Sequence, residues 1–466
     1  MNWFERPGSS PRRTSGALRW TLLLAITAAS WSRAQQGQDF TVPPTLLVPN
    51  YDRVYPGLLE ALEGGAFVAR ARVAPALFYN PAGIALADRT VLNASAQGYQ
   101  LTTLSGSGFE QSSGGAFETL PSFLGLVLGK EVIDWEKVRI GFAVVHPVHS
   151  DLTAIASTTP QPGQRASYAA HSTFDTLTPT FSAGWAIAPS FRVGGSIEFP
   201  YTSLSSTGEL SGEITDATSS RSTLRTLAVT GSALHLRATV GVQWDPLNWL
   251  KLGALVRTAG LNIKSSGSMQ YEALTVNAAG TRQAFFQDPA IAFQYKEPLE
   301  AVLGAAFEFG PFAIEIDVRW HDGTDSYPLY ASTQTMRVVD TSTGVPVTTD
   351  VGIPTVPYRA RQLWNGSIGA HLALSESFII SVGSYLDYSP VDPAVGHAFR
   401  KLDVLGFRAG VSFRIDKLAA SVGGGWERGT GNDNLFPPAG LPVPEESAAE
   451  LTLNTFTLLF SVSYKF

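Results

Sequence analysis

Arg237, Arg257, Arg319 and Arg408 each stand in a stretch where apolar and polar residues alternate. A guanidinium presents a planar fork that grips a carboxylate, so each could hold an anionic head group or pair with Glu300, Glu308, Glu315 or Asp317. Other chemistry-bearing residues are scattered. The seven histidines are dispersed and none falls in a nucleophile motif such as G-x-S-x-G, which leaves hydrolysis without a serine and its base. Cysteine is absent, so neither CxxC redox chemistry nor a cysteine-zinc site is available. Gly431-Asn432-Asp433-Asn434 has the oxygens for a cation but reads more simply as a solvated turn. No metal set, cofactor motif or phosphate-binding loop rises above background.

The elements that position these residues alternate with period two. Phe312, Ile314, Ile316, Val318 and Trp320 interleave with Ala313, Glu315, Asp317, Arg319 and His321; Leu405, Phe407, Ala409, Val411, Phe413 and Ile415 interleave with Gly406, Arg408, Gly410, Ser412 and Arg414. Leu234 to Trp244 behaves likewise around His235 and Arg237, and Phe456 to Phe466 around Thr457, Ser461, Ser463 and Lys465. Successive strand side chains point to opposite faces, so each run is a strand with one greasy and one wet side. About fourteen such runs follow residue 90, an even number as bacterial single-chain barrels have.

Tight turns at Ala188-Pro189-Ser190, Asp245 to Trp249, Gly310-Pro311, Ser375-Glu376-Ser377 and Asp416-Lys417 alternate with longer polar connections at Gly208 to Ser222, His321 to Gln362 and Gly429 to Glu450. With only 15% charged residues and no apolar run of membrane-helix length, the chain reads as an all-β transmembrane antiparallel barrel. A large soluble β-sandwich is the rival architecture. An unpaired charge on the lipid face costs about 2 to 4 kcal/mol at the midplane, so the charged faces belong to a lumen. Trp244, Trp249, Trp320 and Tyr388 sit near strand ends, where amphipathic rings favour the interface.

Arg12, Arg13 and Arg19 precede the apolar run Trp20 to Ala29, and Ser32-Arg33-Ala34 offers small residues for a signal peptidase. Residues 1–34 are therefore expected to be an export signal. Its removal takes five basic residues and one acidic from 33 and 39, leaving 28 against 38, a net charge of −10. That argues against nucleic acid as a partner, because phosphate binding needs a basic surface.

Residues 35–89 do not alternate. They contain Gly64-Gly65-Ala66-Phe67-Val68-Ala69-Arg70-Ala71 and then Phe78-Tyr79-Asn80-Pro81-Ala82-Gly83-Ile84-Ala85, immediately before the first strand. With the export signal, the strand count and the terminal aromatic Phe466, this arrangement resembles the FadL/TodX-type family of outer-membrane transporters for long-chain fatty acids and aromatic hydrocarbons.

The resemblance implies a fourteen-stranded barrel over residues 90–466, plugged by an N-terminal hatch at 35–89, in the bacterial outer membrane. It implies that Asn80, Pro81, Ala82 and Gly83 form the gating motif of the hatch. Transport would be passive, without a cofactor, by binding of a hydrophobic small molecule in the barrel and lateral release into the bilayer. Pro147, on the third strand, lacks an N–H for the ladder and is the candidate for the lateral opening. The terminal aromatic implies delivery by the barrel assembly machinery, and the barrel is expected to be a monomer.

This chain departs from the family pattern in carrying Arg72-Val73-Ala74-Pro75 where acidic residues often precede the motif. The third and fourth outer loops, Gly208 to Ser222 and roughly Glu272 to Asp288, are expected to be short and polar, which weakens any first capture site. A general hydrophilic diffusion porin is the alternative function, and it needs no hatch.

Overall fold

The computed structural model describes residues 50–51, 54–106, 111–114, 117–159, 162–215, 220–353, 355–395, 399–433 and 449–466. The expected export signal lies outside the described residues. Among the described residues, no helix is long and apolar enough to cross a membrane.

Fourteen antiparallel staves close into a barrel. They begin with β1 (Val91–Gly106), then β2 (Gln111–Gly114) with β3 (Phe117–Val127), β4 (Val138–Thr158) and β5 (Gln164–Ala188). The fifth stave is β6 (Phe191–Glu198) with β7 (Tyr201–Thr215), and the sixth is β8 (Ser220–Leu247). The seventh joins β9 (Leu250–Arg257) to β10 (Leu261–Asn277), and the eighth β11 (Gly280–Phe293) to β12 (Glu300–Phe309). After β13 (Phe312–His321), the connection carries four short strands, β14 (Tyr327–Ala331), β15 (Thr335–Asp340), β16 (Val347–Gly352) and β17 (Val356–Tyr358). The wall finishes with β18 (Leu363–Ser375), β19 (Phe378–Asp387), β20 (Asp403–Ile415), β21 (Leu418–Asp433) and β22 (Ala449–Lys465). Pairing of β1 with β22, from Val91↔Lys465 to Gly106↔Leu451, closes the sheet and removes its edges.

The alternation in the sequence sets the two faces. Phe456, Leu458, Phe460, Val462 and Tyr464 are 39–55% exposed on the outside, while Thr455, Thr457 and Ser461 are buried on the inside. Phe312, Ile316 and Val318 point outward and Glu315, Asp317, Arg319 and His321 inward in the same way. The result is an apolar belt around a polar lumen, the arrangement a bilayer selects. Two-residue turns make five of the connections on one side, and residues 128–137 make a longer sixth; Gly310 and Asp416 adopt positive φ in two of the turns.

On the other side the structure corrects the expectation of short polar loops. Gly208 to Ser222 and Glu272 to Asp288 largely continue as strands, in β7 to β8 and β10 to β11. Beyond the apolar belt a ladder needs no greasy face. On the outer face cross-strand hydroxyl pairs take its place: Thr230 to Ser268 at 2.8 Å and Ser232 to Ser266 at 3.1 Å. Gly431, Asn432 and Asp433 likewise pair with β22 rather than turning; Asn434 lies outside the described residues.

The main hydrophobic core lies between the segment at 54–89 and the inner wall. That segment holds α1 (Leu59–Leu62), α2 (Ala76–Tyr79) and a 3-10 helix (Pro81–Leu86). Ala71, Ala74, Ala76, Leu77, Tyr79 and Ile84 pack on wall residues including Phe123, Val127, Ala143 and Val145. The small side chains let the backbone of the segment approach the wall closely.

Candidate functional site

Asn80 lies where segment and wall meet. Its backbone is extended (φ −167°, ψ 106°), Pro81 occupies the first helical position, and Asn80 Oδ1 accepts from the Ala82 amide at 3.2 Å. This cap and the fixed φ of proline start the 3-10 helix. Asn80 Nδ2 donates to the carbonyl oxygens of Val68 and of Val242 on β8, both at 2.9 Å. The side chain therefore joins two parts of the segment to the barrel. The wall is bare where it does so: a methyl on Gly241 would fall 2.1 Å from Asn80 Oδ1, and one on Gly194 would fall 2.3 Å from the Pro81 carbonyl carbon. Gly83 faces the segment itself, where a methyl would meet Ala71 O at 1.9 Å. Ala82 is fully buried.

A second attachment uses two acids of β13. Asp317 Oδ2 accepts from the amides of Phe67 (2.8 Å) and Val68 (3.1 Å), and Glu315 Oε1 accepts from that of Ala69 at 2.6 Å. Arg70 then bridges Glu315 (2.7 Å) and Glu63 (2.6 Å), and His371 lies 2.8 Å from Glu63. Glu315 and Asp317, first read as partners for lumen arginines, are engaged by the segment instead.

Three of the four arginines named from the sequence meet in one girdle. Arg237 pairs with Glu198 at 2.6 Å and Glu297 at 3.0 Å. Arg257 contacts both oxygens of Glu300 at 2.9 Å, donates to the Phe78 carbonyl and stacks over the Phe78 ring at 4.9 Å. Arg319 reaches Glu300 at 3.2 Å. Three cations thus stand against three carboxylates, with His321 beside them, its ring 4.5 Å from that of Tyr51 and tilted by 36°. Arg408 lies apart, bonded to Glu427 at 2.8 Å and to the Tyr385 hydroxyl at 3.2 Å.

The girdle floors a cavity of about 60 Å³ that also touches Tyr51, Phe78, Pro147, Tyr295 and Pro298. This is the volume of about two waters, against some 300 Å³ or more for an ordinary ligand pocket. As the side chains stand, the girdle leaves no room for a ligand of that size.

Pro147 reaches the cavity from β4, where the ladder fails on both sides. Against β5 the register slips between Val145↔Thr178 and Val148↔Thr176, so β4 carries an extra residue, a bulge. Against β3 the pairing stops at Phe123↔Val145 and resumes, with β2, only at Gly114↔Ala154. Among the described residues, His146 to Thr153 have no ladder partner on that side. The Pro147 carbonyl instead accepts from the Val54 amide of the N-terminal segment at 3.3 Å.

Sequence reasoning missed an aromatic cluster beside the cavity. Phe174 meets Tyr295 (5.2 Å) and Phe399 (6.2 Å), Tyr358 meets Phe399 (4.8 Å) and Tyr327 (5.7 Å), and all five are buried. Tyr327 and Tyr358 come from β14 and β17, so the connection after β13 folds inward. The β-branched and aromatic residues around Pro328 and Pro357 were the available signal.

No family model matches this sequence, and neither does any curated protein. Solved structures do match over nearly the whole chain. A Pseudomonas aeruginosa FadL homologue aligns over 91% of this chain and 100% of its own, at 14% identity and a TM-score of 0.57. The toluene transporter TodX of P. putida covers 89% and 99%, at 14% identity and a TM-score of 0.60. The monoaromatic hydrocarbon channel CymD covers 89% and 97%, at 13% identity and 0.54. The fold is theirs.

Proposed function

We propose that this chain is a bacterial outer-membrane channel that passively transports hydrophobic small molecules, binding them in the lumen and releasing them sideways into the bilayer. The observation that carries this reading is the break in the wall at Pro147, which borders the girdle cavity while the segment at 54–89 occupies the lumen. The names of the structurally similar proteins, toluene transporter and monoaromatic hydrocarbon channel, agree with an apolar cargo.

Residues 1–34 serve as the export signal in this reading, residues 35–89 as a hatch hinged on Asn80 to Gly83, and the barrel acts as a monomer inserted by the barrel assembly machinery. Partition out of water supplies the driving force, about 0.8 kcal/mol per buried methylene. Between a fatty acid and an uncharged hydrocarbon, the balanced girdle favours the latter: a carboxylate would have to displace Glu198 or Glu297 from Arg237.

The test is gentle extraction of the purified barrel followed by mass spectrometry of bound apolar compounds. A co-purifying aromatic or aliphatic molecule is expected, together with low ion conductance in planar bilayers. Large, permanent conductance with no bound apolar molecule would replace this reading with a hydrophilic diffusion porin.

A further inference from the structure

His146, His149 and Asp175 come together at the Pro147 bulge. His146 Nε2 lies 3.1 Å and His149 Nδ1 2.5 Å from the same oxygen, Asp175 Oδ1. One donor atom from each residue falls within 4.8 Å of the other two, and the imidazole rings meet nearly edge to face, 5.6 Å apart at 76°. In a regular strand, residues three apart point to opposite faces. The extra residue in the bulge turns both histidines to one side, where they converge on the residue paired with His149 across the ladder.

That side is the outside of the wall. Asp175 alternates with Phe174 and Thr176, both buried, and shares its face with Leu177, which is 42% exposed. Farther along the same strands the outward residues become Asp151, Thr153, His171 and Thr173, so the three residues sit at the rim where the apolar belt gives way to polar strand.

We propose that His146, His149 and Asp175 bind one divalent transition-metal ion of the zinc type. Two imidazoles and a carboxylate suit such an ion, and they leave a fourth position for water. Tetrahedral bonds of about 2.0 to 2.2 Å place donors about 3.3 Å apart. The His146 to Asp175 distance is already near that value, and the partly exposed Asp175 side chain has room to move back from His149.

It also does mechanical work. His146 and His149 flank Pro147 on β4 and Asp175 belongs to β5, so one ion ties both arms of the bulge to the neighbouring strand. Among the described residues, this stretch of β4, His146 to Thr153, has no ladder partner on its other side. Resting on the lateral-release reading above, metal binding stiffens the edge of the opening and slows passage through it.

The experiment uses the full mature barrel in detergent micelles, purified without a polyhistidine tag and stripped with a chelator. Titration with ZnCl₂ by calorimetry, and with CoCl₂ by visible absorption, is expected to show one saturable site with the d–d bands of a low-coordinate cobalt centre. His146→Ala, His149→Ala and Asp175→Asn are each expected to weaken it at least tenfold, with His149→Gln as a second, gentler variant. His171→Ala, which alters the neighbouring His171 and Asp151 pair, is expected to leave it unchanged. Heat-modifiable mobility in electrophoresis reports that each variant is folded.

No saturable binding to the wild-type barrel, or binding lost in His171→Ala and kept in His149→Ala, would overturn the site. Zinc is further expected to slow hydrocarbon uptake several-fold in the wild type but not in His149→Ala. Binding without that effect would overturn the clamp. Zinc bound by a barrel that takes up no hydrocarbon at all would overturn the transport reading and leave the metal site standing.

Discussion

The Nδ2 of Asn80 lies 2.9 Å from the carbonyl oxygen of Val242, so a side chain of the N-terminal segment is bonded to the backbone of the wall. Asn80 is fully buried, and its amide nitrogen also donates to Val68 O at 2.9 Å. Replacement by alanine removes both bonds; Val68 O keeps its donation from Gln243 Nε2 at 3.2 Å, while Val242 O loses its side-chain donor, at about 1 to 3 kcal/mol in all. Asn80→Ala is expected to loosen the segment and raise ion leakage in planar bilayers several-fold, with the barrel still heat-modifiable. Asn80→Asp, which replaces the donor with an anion facing those carbonyls, is expected to leak more.

The wall side of the same contact makes an independent prediction. Gly241→Ala places a methyl 2.1 Å from Asn80 Oδ1, and the segment must move to admit it. Overpacking of this kind costs about 1 to 3 kcal/mol. Gly366→Ala is the matched control, since its methyl would find nothing nearer than 3.8 Å; a change within about 0.5 kcal/mol is expected there. Thermal unfolding in one detergent compares the two, and equal losses would mean that Gly241 is not a docking surface.

Much of this was legible in the sequence, and the limits have physical causes. Period-two alternation identifies strands directly, because a membrane enforces one apolar face along each of them. Asn80-Pro81 stood out through its resemblance to a family motif, and the cap it makes on the 3-10 helix is a local feature. Glu198 and Glu297 were not recognised as the partners of Arg237, since lumen pairs form between residues whose separation in sequence carries no information. The inward turn of Tyr327 and Tyr358 was hidden because a long polar connection looks the same whether it leaves the barrel or fills it. The His146 and His149 cluster was hidden for a sharper reason: in an unbroken strand this spacing separates the two rings, and only the bulge unites them.

Pro147 carries the prediction for release. Pro147→Ala restores an amide and removes the fixed φ, but leaves the extra residue in place. Deletion of Pro147 removes the bulge and lets β4 run in register with β5. Uptake of a radiolabelled hydrocarbon by cells is expected to fall modestly in the first variant and at least tenfold in the second, with equal amounts of folded barrel in the membrane. Unchanged uptake in both would detach Pro147 from the exit.

The girdle predicts a cost of a different size. Arg237→Gln leaves Glu198 and Glu297 without their shared cation in a buried site, and breaking such a pair costs about 3 to 5 kcal/mol. The midpoint of unfolding is expected to drop, and the double variant Arg237→Gln with Glu297→Gln is expected to recover part of the loss. If the single variant keeps full stability but loses uptake of fatty acids alone, Arg237 is a head-group ligand and the preference for uncharged cargo is wrong.

Glu60 makes the hold of the segment depend on pH. It lies on α1 inside the barrel, 7% exposed, and burial raises its carboxyl from 4.5 to about 7, with Glu63 adding to the shift and Arg70 opposing it. The packed segment therefore binds more protons than the released one. Its hold is complete below pH 4.5, weakens as pH rises toward 7 and levels off above that. The full swing is about 3 kcal/mol, from 1.36 kcal/mol for each pH unit of displacement. Leakage through the wild-type barrel is expected to rise between pH 5 and pH 8, and Glu60→Gln, which stays neutral and keeps nearly the same shape, is expected to flatten that rise. A wild-type leak that falls with pH over this interval would mean that a group other than Glu60 governs release.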